Sequence, residues 1–144
     1  MQASNTELKE IKRRIWANGA IQLREAIDDG YWIEAVAIEE SMMADSIESW
    51  LQKHLKQDKL MTLGDAVNVV LRLDLISSDE EIFLKVKSWI NDRDVVVHEL
   101  MKVNKKIQVS WDQKMNFNLA VATEGFELAK EIKNWRRRKP NSKN

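Results

Sequence analysis

The chain has 144 residues, 44% of them hydrophobic and 32% charged, with 23 basic and 23 acidic side chains and a formal net charge of zero. That length suits one domain with a real core and is short for two, and the balance is that of a globular chain, not a disordered one. With no cysteine, disulfides and thiolate metal sites are excluded. No apolar run approaches the roughly 20 residues that span a bilayer, and the amino terminus lacks the basic-then-apolar layout of a signal peptide, so a cytoplasmic protein with no membrane partner is expected.

One proline and four glycines leave few breakers, which favours long helices. Ser4-Asn5-Thr6-Glu7 reads as a capping box that opens the first helix. Leu8, Ile11, Ile15, Trp16, Ala20, Leu23 and Ile27 follow at helical spacing, and Asp28-Asp29-Gly30 supplies the stop. A second helix is predicted from Tyr31 to Leu55, with a stripe of Trp32, Val36, Met43, Ile47, Trp50, Leu51 and His54. Glu39 and Glu40 sit on or beside that stripe. His54, near the carboxyl end, reads as a structural histidine favoured by the helix dipole.

Gln57-Asp58-Lys59 reads as a linker, and Thr62-Leu63-Gly64-Asp65 offers a cap for a short helix, Ala66 to Leu73, burying Val67, Val70 and Leu71. Ser78-Asp79-Glu80-Glu81 is a further capping box, opening a long helix from Glu80 to about Val103. Its apolar members are Ile82, Val86, Trp89, Ile90, Val96, Val97, Leu100 and Met101. Val95-Val96-Val97 goes against helix propensity, but the capped start and the long periodicity outweigh that preference. Asn104 to Val109 is either a helix end or a loop. Ser110-Trp111-Asp112-Gln113 caps a last helix with Phe117, Val121, Leu128, Ile132 and Trp135 on one face, and Gly125 inside it permits close packing. The prediction is all-α: a single up-and-down bundle of four main helices plus one short helix. It occupies residues 1–139 as one domain, followed by a polar tail, 140–144.

Charge is unevenly placed. From Glu25 to Gln52 there is no Lys or Arg, whereas Arg136, Arg137, Arg138, Lys139 and Lys143 crowd the end. An acidic middle and a basic end suit self-association or a localised anion site. Such a basic end is ordinarily solvated, but folded back it would offset the acids around the focal stretch described next.

The stretch Ile90 to Leu100 concentrates the chemistry. On a helix, Val86, Ile90, Arg93, Val97 and Leu100 share a face, so Arg93 is a cation set into an apolar stripe. Such a charge requires a partner, and the carboxylates nearest an apolar line of their own are Glu40 and Glu39. Asn91, Asp94 and His98 form a polar line beside the stripe. There is no Gly-rich phosphate loop, H-E-x-x-H, EF-hand loop or nucleophile elbow. With two histidines far apart, no metal site and no cofactor are expected. Arginine with histidine suffices for RNA cleavage: histidine moves a proton at the ribose 2′-hydroxyl or the leaving 5′-oxygen, and arginine stabilises charge on the phosphate oxygens. One histidine supplies one proton-transfer group where the reaction uses two, so a homodimer pairing two copies of this helix is expected. Six tryptophans also offer aromatic surface for an interface.

Arg93-Asp94-Val95-Val96-Val97-His98 resembles the R-x4-H motif of the HEPN superfamily, with Asp94 in the small polar slot after the arginine. Gly30-Tyr31-Trp32-Ile33-Glu34-Ala35-Val36-Ala37-Ile38-Glu39-Glu40 is similar to the second-helix segment of some members. The resemblance implies a homodimeric, metal-independent endoribonuclease with a composite site, often a toxin held by a cognate antitoxin protein or acting in phage defence. Arg93 and His98 would then be catalytic, Asp94 would orient the imidazole, and Glu40 or Glu39 would hold Arg93. The alternative expectation is an inactive HEPN-like bundle that binds a protein or a nucleotide. In that case the acidic run is a docking surface and Arg93 a structural ion-pair partner.

Overall fold

The computed structural model describes residues 4–56, 61–73, 77–102 and 109–138, with the backbone only at 77 and 78. Within them run helices α1 (Asn5–Asp29), α2 (Trp32–Leu55), α3 (Leu63–Leu71), α4 (Ser77–His98) and α5 (Trp111–Arg138). The molecule is an all-α up-and-down bundle of four long helices and a short one, with no strand among the described residues. None of these helices is long and apolar enough to cross a membrane. The expected linker 57–59, most of the ambiguous segment 104–109 and the tail 140–144 lie outside the described residues.

Local chemistry sets the ends. Ser4 Oγ accepts from the Glu7 amide at 3.2 Å and Thr62 Oγ1 from the Asp65 amide at 3.1 Å. At α5 the box is complete: the Gln113 amide donates to Ser110 Oγ at 3.1 Å and the Ser110 amide to Gln113 Oε1 at 2.8 Å. Each cap satisfies an amide that a helix start leaves without a partner. Gly30 closes α1 with φ 80°, a left-handed geometry that glycine adopts without a Cβ clash.

Helices α2 and α5 form the central pair, α1 packs along α2 on one flank, and α3 and α4 cover the other. Val36, Met43, Ile47, Leu51, Val86, Trp89, Val121, Ile132 and Trp135 fill the space between them. Far from the α1–α2 turn, Trp135 lies 4.9 Å from Trp50 and 4.8 Å from Phe83, edge-on to the latter. His54 stacks on Trp50 at 4.2 Å, in the structural role its position suggests.

Three stripes differ from expectation. Leu8, Ile11 and Ile15 are exposed because α1 leans only lightly on α5, so its first half has no layer above it. Phe117 is exposed and Asn118 buried in its place, while Phe83 joins the core of α4. Only Trp111 of the six tryptophans is classed as exposed, so aromatic surplus as an argument for an interface reduces to that one residue.

Candidate functional site

Helix α4 carries the focal stretch, and its buried line is Phe83, Val86, Trp89 and Val96. Arg93 falls between Trp89 and Val96 on that line, at the core's edge, with a side chain 19% exposed. A guanidinium so placed has lost much of its hydration and needs carboxylates. Glu40, reaching over from α2, accepts from Arg93 Nη2 at 2.7 Å. Asp94 meets Nη1 at 2.9 Å. Arg93 is therefore bridged to the central helix pair on one side and covered by its own neighbour on the other.

Glu39 does not take part in this bridge. It is 0% exposed, and neither carboxyl oxygen has a hydrogen-bond partner among the described residues. It turns toward α5, where its carboxyl lies against Gly125 together with the Trp89 ring. One residue apart on a helix means about 100° around the axis, which separates an acid facing α4 from one facing α5. Burial pushes the Glu39 carboxyl up to about 9, because a carboxylate there would have no water and no cation. It is a neutral acid at pH 7.

Asp94, expected to orient the imidazole of His98, has its described contact with Arg93 instead. His98 is the last residue of α4 and is exposed. The helix ends there, short of the expected Val103, and residues 99–101 turn away. Lys114, in the second turn of α5, holds this end: its Nζ donates to the carbonyl oxygens of Glu99 at 3.2 Å, Leu100 at 2.8 Å and Lys102 at 2.6 Å. The ammonium thus fills the place of a helix C-cap and complements the negative end of the α4 dipole. Nothing in the local sequence announces this role, since the carbonyls come from another helix. Lys114→Met is expected to lower stability by about 1 kcal/mol and to speed amide exchange selectively near residues 99–102. Unchanged exchange there would contradict the role.

Arg136, Arg137 and Arg138, the described part of the basic end, stand at the far tip from His98. Lys114 sits beside the end of α4, and Arg136 lies 22 residues further along α5, about 33 Å away at 1.5 Å per residue. Arg138 instead approaches Asp79, near the start of α4, at 3.9 Å. The acids around His98 are Asp92 and Asp94 on α4 and Glu99 just past its end, with the α1–α2 turn at the same end of the bundle and the cations Lys102 and Lys114 beside them. In chemical terms the site has a held cation, an exposed imidazole one and a half turns on, and a covering carboxylate, half exposed at 50%, that can be displaced. No protein-family model matches the chain, and no curated protein or solved structure matches it.

Proposed function

We propose that the protein is a metal-independent endoribonuclease of the HEPN type, active as a homodimer, and a toxin of the toxin–antitoxin or phage-defence kind with a cognate antitoxin protein as partner. The observation that carries this reading is the Arg93–Glu40 bridge, which fixes a guanidinium at the rim of the core, with an exposed His98 five residues on at the end of the same helix. Arg93 stabilises the phosphorane-like charge, once an incoming phosphate displaces Asp94, and His98 transfers the proton. The second proton-transfer group comes from the other protomer. Exposed apolar side chains flank His98, with Met101 83% and Trp111 57% exposed, and they supply the surface for that pairing.

The test is cleavage of RNA in EDTA, with 2′,3′-cyclic phosphate ends. His98→Ala and Arg93→Ala are each expected to reduce the rate at least about 100-fold, and His98→Ala should leave the melting temperature unchanged. Equal cleavage by wild type and both variants refutes the proposal. A second reading has one observation in its favour: both terminal nitrogens of Arg93 are occupied by carboxylates. On that reading the bundle is an inactive protein- or nucleotide-binding module. Absence of cutting by a wild-type dimer of intact fold would establish it over the first.

A further inference from the structure

We propose that the groove between α1 and α5, on the opposite flank from Arg93 and His98, is a separate binding site for single-stranded nucleic acid. The groove holds about 590 Å³, and its rim carries Lys9, Lys12, Arg13, Lys133, Arg136 and Arg137. With Arg24 and Lys130 further along, eight cations line it against one carboxylate, Asp45. Asp45 is occupied by Lys12 at 3.3 Å and the indole nitrogen of Trp16 at 3.0 Å. Arg13 is shared with Glu10 and Lys130 with Glu127. Lys9, Arg24, Lys133, Arg136 and Arg137 have no ion-pair partner among the described residues. A chain of zero net charge has thus gathered a positive strip from cations on two helices that stand more than a hundred positions apart in sequence.

The floor fits a nucleic acid better than a simple anion. It is apolar and low, made of Ala17, Ala20 and Ala129, with Trp16 and Phe126 as aromatic surfaces. Lys133 lies 4.9 Å from the centre of the Trp16 ring and Lys130 4.5 Å from that of Phe126. Cations at a rim with aromatic and small apolar residues below is the arrangement that takes a phosphate backbone and stacks bases under it. A second hollow of about 430 Å³ continues the strip: it shares Lys133, Arg136 and Arg137 and adds Lys53 of α2. Two helices that still touch leave a cleft too narrow for a duplex, so the occupant is a single strand.

The site stands on its own geometry, but it would give the proposed ribonuclease a means of holding RNA that its acidic His98 end lacks. The probe is a 5′-labelled 12-nucleotide oligothymidylate, which has no 2′-hydroxyl for the proposed cleavage, measured by fluorescence anisotropy in EDTA and 50 mM salt with the full chain. Expected are a Kd between about 1 and 100 µM and a slope of log affinity on log salt near −3, as about four phosphates are neutralised. Lys133→Ala/Arg136→Ala/Arg137→Ala is expected to weaken binding at least tenfold and flatten the slope by about 2. Arg136→Glu/Arg137→Glu, two exposed positions, gives the same direction should the triple variant melt early. The α4 control Lys87→Ala should bind within twofold of wild type. No binding by wild type, unchanged binding by the groove variants, equal binding of a duplex, or stronger binding to phosphatidylserine vesicles would each overturn the proposal. Cutting that depends on His98 with no groove-dependent binding sinks this site and spares the ribonuclease; groove-dependent binding with no cutting does the opposite.

Discussion

Stability is expected to fall as the pH is raised from about 4.5 to about 9, with a slope from Glu39 alone that approaches about 1.4 kcal/mol per pH unit. The sign follows from proton binding. Burial raises the folded-state value to about 9 from an ordinary 4.5, so in that window the folded protein holds a proton that the unfolded chain releases. The contribution is complete below about 4.5 and is lost as the pH passes through about 9. Among the described residues no cation pairs with Glu39 to reverse this, and Arg93 is committed to Glu40 and Asp94. Denaturant titrations at a series of pH values check it, with Glu39→Gln as the reference. Glutamine keeps the volume and cannot ionise, so the slope should flatten over this range while stability at pH 7 stays within about 1 kcal/mol. Parallel curves for the two proteins would show that Glu39 is not held neutral.

Gly125→Ala is expected to be the most damaging single methyl in the bundle. A Cβ at this position would stand 2.7 Å from Trp89 Cζ2 and 2.8 Å from Glu39 Cδ, and closer still to Glu39 Oε1. The carboxyl end can swing aside, but the Trp89 ring is fully buried and tied by its Nε1 to the Val121 carbonyl at 2.9 Å. Alanine gains about 1 kcal/mol of helix propensity over glycine, whereas overpacking of this kind costs about 1–3 kcal/mol and occasionally more. A net loss of about 2 kcal/mol is expected, because the Trp89 ring has nowhere to go even when the Glu39 carboxyl swings aside. Thermal or urea unfolding measures it. Glu39→Ser removes one of the obstacles, so the double variant should be less damaged than the sum of the singles, by about 1 kcal/mol. Simple additivity would mean that Trp89 alone makes the clash.

Much of the architecture was legible in the sequence because caps and periodicity are local. Ser4, Thr62 and Ser110 cap where their spacing places them, and Gly30 ends α1. The length of α4 was not legible: its apolar rhythm continues through Leu100 and Met101, but the helix stops at His98, where Lys114 of α5 binds the carbonyls of Glu99, Leu100 and Lys102. Leu8, Ile11 and Ile15 have a core-like spacing and yet are exposed, since periodicity gives the face of a helix and not whether a neighbour covers it. At the site, a carboxylate for Arg93 could be narrowed to two positions from the stripe. Which of them faces α4 depends on the rotation of α2, and the structure gives that to Glu40. The meeting of the cations of α1 with those of α5 is a tertiary fact, without any signature in either segment alone.

The bundle's two ends have consequences for how copies of it meet. Lys9, Lys12, Arg13 and Arg136–Arg138 lie toward one tip, with Glu7, Glu10, Asp79 and Glu80 at the same end, and Asp28, Asp29, Asp92 and Glu99 lie toward the other, with Lys102 and Lys114 beside them. Where two His98 ends meet, Asp92, Asp94 and Glu99 of both copies set up a repulsive local field. A composite site of two His98 ends would form against that field, drawing on the apolar contact of Met101 and Trp111. Dissolved salt weakens the opposition and strengthens such a pair, while the same salt loosens any polyanion held along the α1–α5 groove.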